Sequence, residues 1–145
     1  MTSDFSMYMN MDWHGIYDGV YKNRWAGVYC QFKGLNVIPS VGWASESTYD
    51  ICFAGIEVGS IVAISTFGIR SNPSDFLNGY NEMRKRIKPS AIICLGSPIQ
   101  GMDISNVCFV SYRNTFGADK SKYGWQPSLW DWNDSNFIEQ ETEVY

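Results

Sequence analysis

The chain has 145 residues, a net charge of −4, 45% hydrophobic residues, 16% aromatic residues and only 18% charged residues. Against a usual charged share of about 25% it is charge-poor and ring-rich, which excludes disorder as its main state, because a disordered chain lacks apolar and aromatic surface. The length suits one domain that buries about two-thirds of its unfolded surface, and the negative balance argues against a general binder of phosphate backbones.

Phe5, Met7 and Met9 share one period-2 face and predict a short strand over 5–9. Asp12 then precedes a long pattern in which Trp13, Ile16, Tyr17, Val20, Tyr21, Trp25, Val28, Tyr29 and Phe32 recur at three- and four-residue steps. That spacing predicts a helix, with Gly34 fitting the left-handed position just past its end. Its rings read as core or interface anchors, and packing is expected to account for most of them. Leu35 to Pro39 predicts a short apolar strand, and the stretch from Val41 to Glu46 is more polar. Ser47 to Phe53 is ambiguous, with a short helix as one reading.

Ser60 to Ser65 (SIVAIS) predicts a buried strand, continuous in apolar residues as parallel strands are. A helix starts at Asn72-Pro73-Ser74-Asp75: Asn72 can cap, Pro73 suits the first turn, and Asp75 meets the positive helix end. Phe76, Tyr80, Met83 and Ile87 form its inner stripe, Pro89 stops it, and Arg84, Lys85, Arg86 and Lys88 cluster near its C-terminus. Ser90 to Leu95 (SAIICL) and Asn106 to Val110 (NVCFV) predict two more strands, the first ended by Gly96-Ser97-Pro98.

Short apolar strands alternating with amphipathic helices predict an α/β fold: a largely parallel sheet of about four to five strands with flanking helices, as an open sheet or a part-barrel. The expected division is an α/β domain over 1–114 and an irregular, Trp-rich, acidic tail over 115–145. That tail is either a ring-anchored loop packed on the domain, a partner-binding arm, or both.

Ligands of open parallel sheets and barrels bind beyond the carboxyl ends of the strands. That rule selects Asp4 and Ser6 (or Asn10 and Asp12, if the first strand ends later), then Ser40 and Trp43, then Ser65, Thr66 and Arg70, then Gly96, Ser97 and Gln100. Together they would offer a carboxylate, hydroxyls and a stacking ring to a polar ligand. Each has a blander alternative. Ser65 and Thr66 can bond to local backbone, Gly96 can permit a tight turn, Trp43 can be a packing anchor, and Asp4 can be a solvated terminus. His14 has no obvious Cys or Ser partner.

The phosphate-loop, dinucleotide, H-E-x-x-H and G-x-S-x-G patterns do not occur. Cys30, Cys52, Cys94 and Cys108 include no C-x-x-C pair, so zinc is not expected, and no other metal or cofactor is assigned, although in a rim site Asp4 would be a general base or a ligand for a hard cation. Cys94 and Cys108 read as small hydrophobes in buried strands. The start of the chain lacks the pattern of a signal peptide, and no apolar run reaches membrane-spanning length, so a reduced cytoplasmic setting is expected. The basic cluster of the second helix complements the helix dipole, and four charges in an acidic chain promise weak nucleic-acid contact at best.

The successive runs SDFSMYMNM, WAGVYCQFKG, NVIPSVGW, STYDICFAGI, SIVAISTFG and FLNGYNEMRKRIKPSAIICLG resemble domain-of-unknown-function family 4417, over about Ser3 to Gly96. The resemblance implies a small α/β protein of phage or other mobile-element origin, working in the cytoplasm of a bacterium. It carries no activity over. Its motif positions match Asp4, Ser6, Pro39, Trp43, Ser65, Thr66, Gly68 and Gly96, most of them strand-end positions chosen above. Members of the family usually carry a substantial segment before the SDFS-like motif, so a missing first strand would leave a sheet edge open. The tail, self-association or a host protein would then close it.

The first functional expectation is a mobile-element accessory protein that binds a host protein complex, with inhibitors of host defence such as anti-CRISPR proteins as the natural class. Trp125, Trp130 and Trp132, with Asp131 and Asp134, are the expected partner-binding residues. The second is a nucleotide or sugar binder, or an enzyme, using Asp4, Ser6, Trp43, Ser65, Thr66 and Gly96. The third is a replication or nucleic-acid accessory protein using the cluster from Arg84 to Lys88.

Overall fold

The computed structural model of the protein describes residues 1–5, 7–67, 69 and 73–110. In chain order they form α1 (Trp13–Phe32), a 3₁₀ turn (Glu46–Thr48), α2 (Tyr49–Cys52), β1 (Ile61–Ser65), α3 (Pro73–Ile87), β2 (Ala91–Leu95) and β3 (Val107–Val110). The sheet has the order β1-β2-β3 and is parallel throughout. Ile61 lies opposite Ala91 and Ser65 opposite Leu95, while Ile92 lies opposite Val107 and Leu95 opposite Val110. The fold is α/β as the alternating pattern predicts.

The described strands number three, not four to five. The two expected N-terminal strands are replaced by extended segments with isolated contacts. Pro39 to Val41 runs parallel to β1 through one bridge, Ser40 to Ala63, where the Val41 amide donates to the Ala63 carbonyl (2.7 Å) and the Ala63 amide to Pro39 (2.9 Å). Pro39 has no amide to donate. The residues before it run past an exposed Leu35 rather than along a buried ladder. At the start of the chain, Thr2 donates its amide to the Ile38 carbonyl (2.9 Å), and the backbone then turns between Tyr8 and Met11 to enter α1. The described residues between Phe5 and Met9 form no strand.

Helix α1 begins where the Asp12 carboxylate accepts from the Gly15 amide (2.7 Å). It ends in a Schellman arrangement: Gly34 at φ +79° donates to Gln31 (2.8 Å), and Leu35 donates to Cys30 (3.1 Å). Its buried face is Ile16, Val20, Asn23 and Gly27. Most of the expected core stripe lies elsewhere, because Trp13, Tyr17, Tyr21, Trp25, Val28, Tyr29 and Phe32 are all at least half exposed. Small residues decide which face docks. At Gly27 a Cβ would stand 3.2 Å from the Thr2 methyl carbon, a close approach that a ring does not permit.

The core joins Ile16 and Val20 of α1 to Val62 and Ile64 of β1, Ile92 and Cys94 of β2, and Phe76, Tyr80, Met83 and Ile87 of α3. The last four are the predicted inner stripe of that helix. Val62, Ala63 and Ile64 are buried in succession, so both faces of β1 are covered. The proposed cap Asn72 lies outside the described residues.

Candidate functional site

The carboxyl ends of the strands are closed by the chain's own bonds. The Thr66 amide donates to Leu95 (2.9 Å) and the Gly96 amide to Val110 (3.0 Å), so the ladders continue past the strand ends. The buried Thr66 hydroxyl donates to the Ser97 carbonyl (2.9 Å), with the Leu95 carbonyl 3.4 Å away, and accepts weakly from the Cys94 thiol. Gly96 sits at φ +115°, and a Cβ there would press on that same hydroxyl. The Ser65 hydroxyl accepts from the Phe67 amide (3.1 Å) in a local turn.

Trp43 packs against α3 and α2. Its ring lies 5.0 Å from that of Phe76 and 6.1 Å from that of Phe53, and it occupies the space beside Gly79. Asp4 stands at a narrow recess whose walls include Asn23, Arg24, Ser40, Gly42 and Cys52. Its free volume, about 10 Å³, holds roughly one water molecule. Thr66 and Gly96 are thus brought together, while Trp43 and Asp4 occupy other neighbourhoods. Ser6, Gly68, Arg70 and the tail residues Trp125, Trp130, Asp131, Trp132 and Asp134 lie outside the described residues.

A buried polar node escaped the sequence reading, apart from Ser40. The amide nitrogen of Asn23 shares its two hydrogens among three acceptors, the Ser3 carbonyl (2.7 Å), the Ser40 hydroxyl (2.8 Å) and the Thr2 hydroxyl (3.0 Å). The side-chain carbonyl oxygen of Asn23 accepts from Arg24 (2.6 Å), which also donates to the carbonyls of Cys52 (2.8 Å), the last residue of α2, and Ala54 (2.9 Å). Burial pulls the Arg24 guanidinium below its ordinary value. The node fastens the N-terminus, α1, the Ser40 bridge and the end of α2. Its signal was a polar residue, Asn23, in step with Ile16, Val20 and Gly27.

The basic cluster of α3 is largely neutralised. Arg84 pairs with Asp103 (2.8 Å) and donates to Asn106 (2.6 Å), Arg86 binds Glu82 (2.7 Å) and Asp50 (2.5 Å), and Lys85 also approaches Glu82 (3.5 Å). Hydrogen bonds from Ser105, ahead of the Arg84 charge, hold the Asp103 carboxyl below its ordinary range.

A concavity lies on α1, away from the strand ends. It is an open groove of about 410 Å³ lined by Phe5, Tyr21, Lys22, Trp25 and Ala26. Around it the exposed rings step along the helix at four-residue intervals, Trp13, Tyr17, Tyr21, Trp25 and Tyr29, with Trp25 stacked on Tyr29 at 5.5 Å. Among the described residues no helix is long and apolar enough to cross a membrane.

A small α/β domain with a parallel sheet, an internally bonded rim and an aromatic helix face is the class of protein that these features define. The family described as Domain of unknown function (DUF4417) matches residues 1–113, and the chain belongs to it. It is similar to the Gene 1 protein of Mycobacterium phage L5, 42% identical over 99 residues, which cover 66% of this chain and 43% of that protein. It is also similar to the Gene 1 protein of Mycobacterium phage D29, 39% identical over 99 residues, 66% of this chain and 37% of that protein. The matched region thus spans less than half the length of either relative. No solved structure matches the chain.

Proposed function

We propose that the chain is a phage accessory protein that acts by protein–protein contact in the host cytoplasm, engaging a host protein complex. Inhibition of a host defence such as CRISPR is the outcome class. One contrast carries this reading. The polar groups at the strand ends bond within the fold, while large rings face outward on α1. Outward rings are favoured anchors of protein interfaces. Kinship with phage proteins supports the mobile-element setting. Trp125, Trp130 and Trp132, with Asp131 and Asp134, supply the ring-and-acid composition for the host contact.

The test is interference by a CRISPR system in bacteria that express the chain. The expected result is survival of a targeted phage or plasmid, lost when Trp125, Trp130 and Trp132 are all replaced by alanine. Undiminished interference, together with a nucleotide or sugar that raises the melting temperature of the wild-type chain but not of Asp4→Asn, would overturn the proposal in favour of a strand-end ligand. Salt-sensitive DNA binding that is lost in Lys85→Ala plus Lys88→Ala would favour the nucleic-acid reading instead.

A further inference from the structure

We infer that the aromatic ridge of α1 is a self-association face, on which two copies of this chain pack antiparallel about a two-fold axis at the middle of the helix. The inference rests on reading the chain as a protein that works through its surfaces, and it names the partner of α1.

The sequence of the ridge is self-complementary about that midpoint. Antiparallel alignment centred between Lys22 and Asn23 sets Trp13 of one copy against Phe32 of the other and Tyr17 against Val28, with Tyr21 and Trp25 of both copies flanking the axis. A two-fold interface requires such reciprocal pairing. The groove beside Tyr21 and Trp25 lies at the same midpoint and offers a seat for the facing rings. The Trp25–Tyr29 stack gives one wall of the ridge a fixed shape.

Lys33, exposed at the end of α1, is accommodated by the ridge itself. Lys33 already lies over the rings of Tyr29 (5.6 Å) and Phe32 (6.0 Å), on the ridge side of the helix end. Lys22, which flanks the axis, is balanced by its own Asp18 at 2.5 Å. Antiparallel helices also oppose their macrodipoles favourably, whereas a parallel pair would set like ends together.

The area is sufficient. Aromatic side chains carry about 150–250 Å² each, and these are half or more exposed, Phe32 at 83%. The ridge therefore offers roughly 700 Å² per copy, close to the ~800 Å² per partner of a stable interface. It also exceeds the few hundred Å² of contiguous apolar surface usual on a monomer.

Sedimentation equilibrium of the full chain tests the inference. The expected species has twice the 16.5 kDa chain mass. Tyr21→Glu plus Trp25→Glu is expected to raise the dissociation constant by at least about 100-fold with unchanged circular dichroism, since both side chains are exposed. Orientation is read by mixing Trp13→Cys chains with Phe32→Cys chains, which should cross-link with each other far more than either does with itself. A monomer at every accessible concentration, a dimer indifferent to the two glutamates, or preferential Trp13→Cys self-cross-linking would each overturn it. Should the double glutamate variant lose interaction but misfold, Phe32→Glu, at the most exposed ring of the ridge, should still weaken the dimer, and an unchanged dimer would count against the inference. The CRISPR assay separates the two proposals: a dimer without host effect leaves this one standing, and a monomer with host effect leaves only the other.

Discussion

The indole of Trp43 fills the space in which a side chain at Gly79 would have to stand. This contact locks the loop after the Ser40 bridge against α3, and glycine in the middle of that helix is its condition. In Gly79→Ala the ring must move, and it is held by Phe76 and Phe53. Alanine gains about 1 kcal/mol of helix propensity, but overpacking costs about 1–3 kcal/mol or more. Chemical denaturation should find the variant less stable, and the near-ultraviolet signal of Trp43 should change. A more stable variant would mean that the ring is free to yield.

Thr66 and Gly96 form a second interlocked pair, one residue beyond the paired ends of β1 and β2. Gly96→Ala meets both a disfavoured φ of +115° and the Thr66 hydroxyl, and should cost about 2–3 kcal/mol. Thr66→Ala loses the bond to Ser97 and should cost about 1 kcal/mol. The double variant removes the clash, so its cost should fall short of the sum of the two single costs. Strict additivity in a double-mutant cycle would contradict the contact.

Asn23 joins four residues of the buried polar node, Thr2, Ser3, Ser40 and Arg24. Asn23→Ala strips partners from Thr2, Ser3 and Ser40 at once, and leaves Arg24 without its nearest acceptor. A loss of about 2–4 kcal/mol is expected. Hydrogen exchange should localise the damage: the Ser40 amide, bonded to the Thr2 hydroxyl at 2.8 Å, should exchange much faster while β2 stays protected.

Cys94 makes stability fall in alkali. Burial, only partly offset by hydrogen bonds with Thr66, pushes its thiol up from 9.0 to about 11. Between those values the unfolded chain has released a proton that the folded chain retains. The stabilisation is therefore complete below pH 9 and declines as pH rises towards 11, by about 3 kcal/mol. Urea denaturation across this window should show a steeper decline for the wild type than for Cys94→Ala. Equal slopes would assign the alkaline decline to other groups, since burial also raises Tyr80 and Cys52. At neutral pH Cys94 should resist alkylation in the folded state.

The strands and helices from β1 onward were legible because their signals are local. Continuous apolar runs mark β1, β2 and β3, and the stripe of Phe76, Tyr80, Met83 and Ile87 marks α3. The beginning of the chain misled for a physical reason. Periodicity counts apolar residues but does not say which of two apolar faces will dock. In α1 the narrower face, with Gly27 and Asn23, lies against the domain. At the strand ends, residue type identified groups able to bind a ligand, but only the fold shows that Ser97, Phe67 and Gly79 already engage or crowd them. The Asn23 node was illegible because its partners Thr2 and Ser40 come from opposite sides of α1 in the sequence.

The all-parallel sheet also bears on synthesis. Parallel neighbours cannot be joined by a tight hairpin, and β1, β2 and β3 are separated by α3 and by the loop from Gly96 to Asn106. No two strands of this sheet can pair as they leave the ribosome until a whole crossover has followed the first. The third cannot join until Val110 is clear of the exit tunnel. Until then the nascent chain presents Val62 and Ile64, buried in the finished sheet, without their final neighbours.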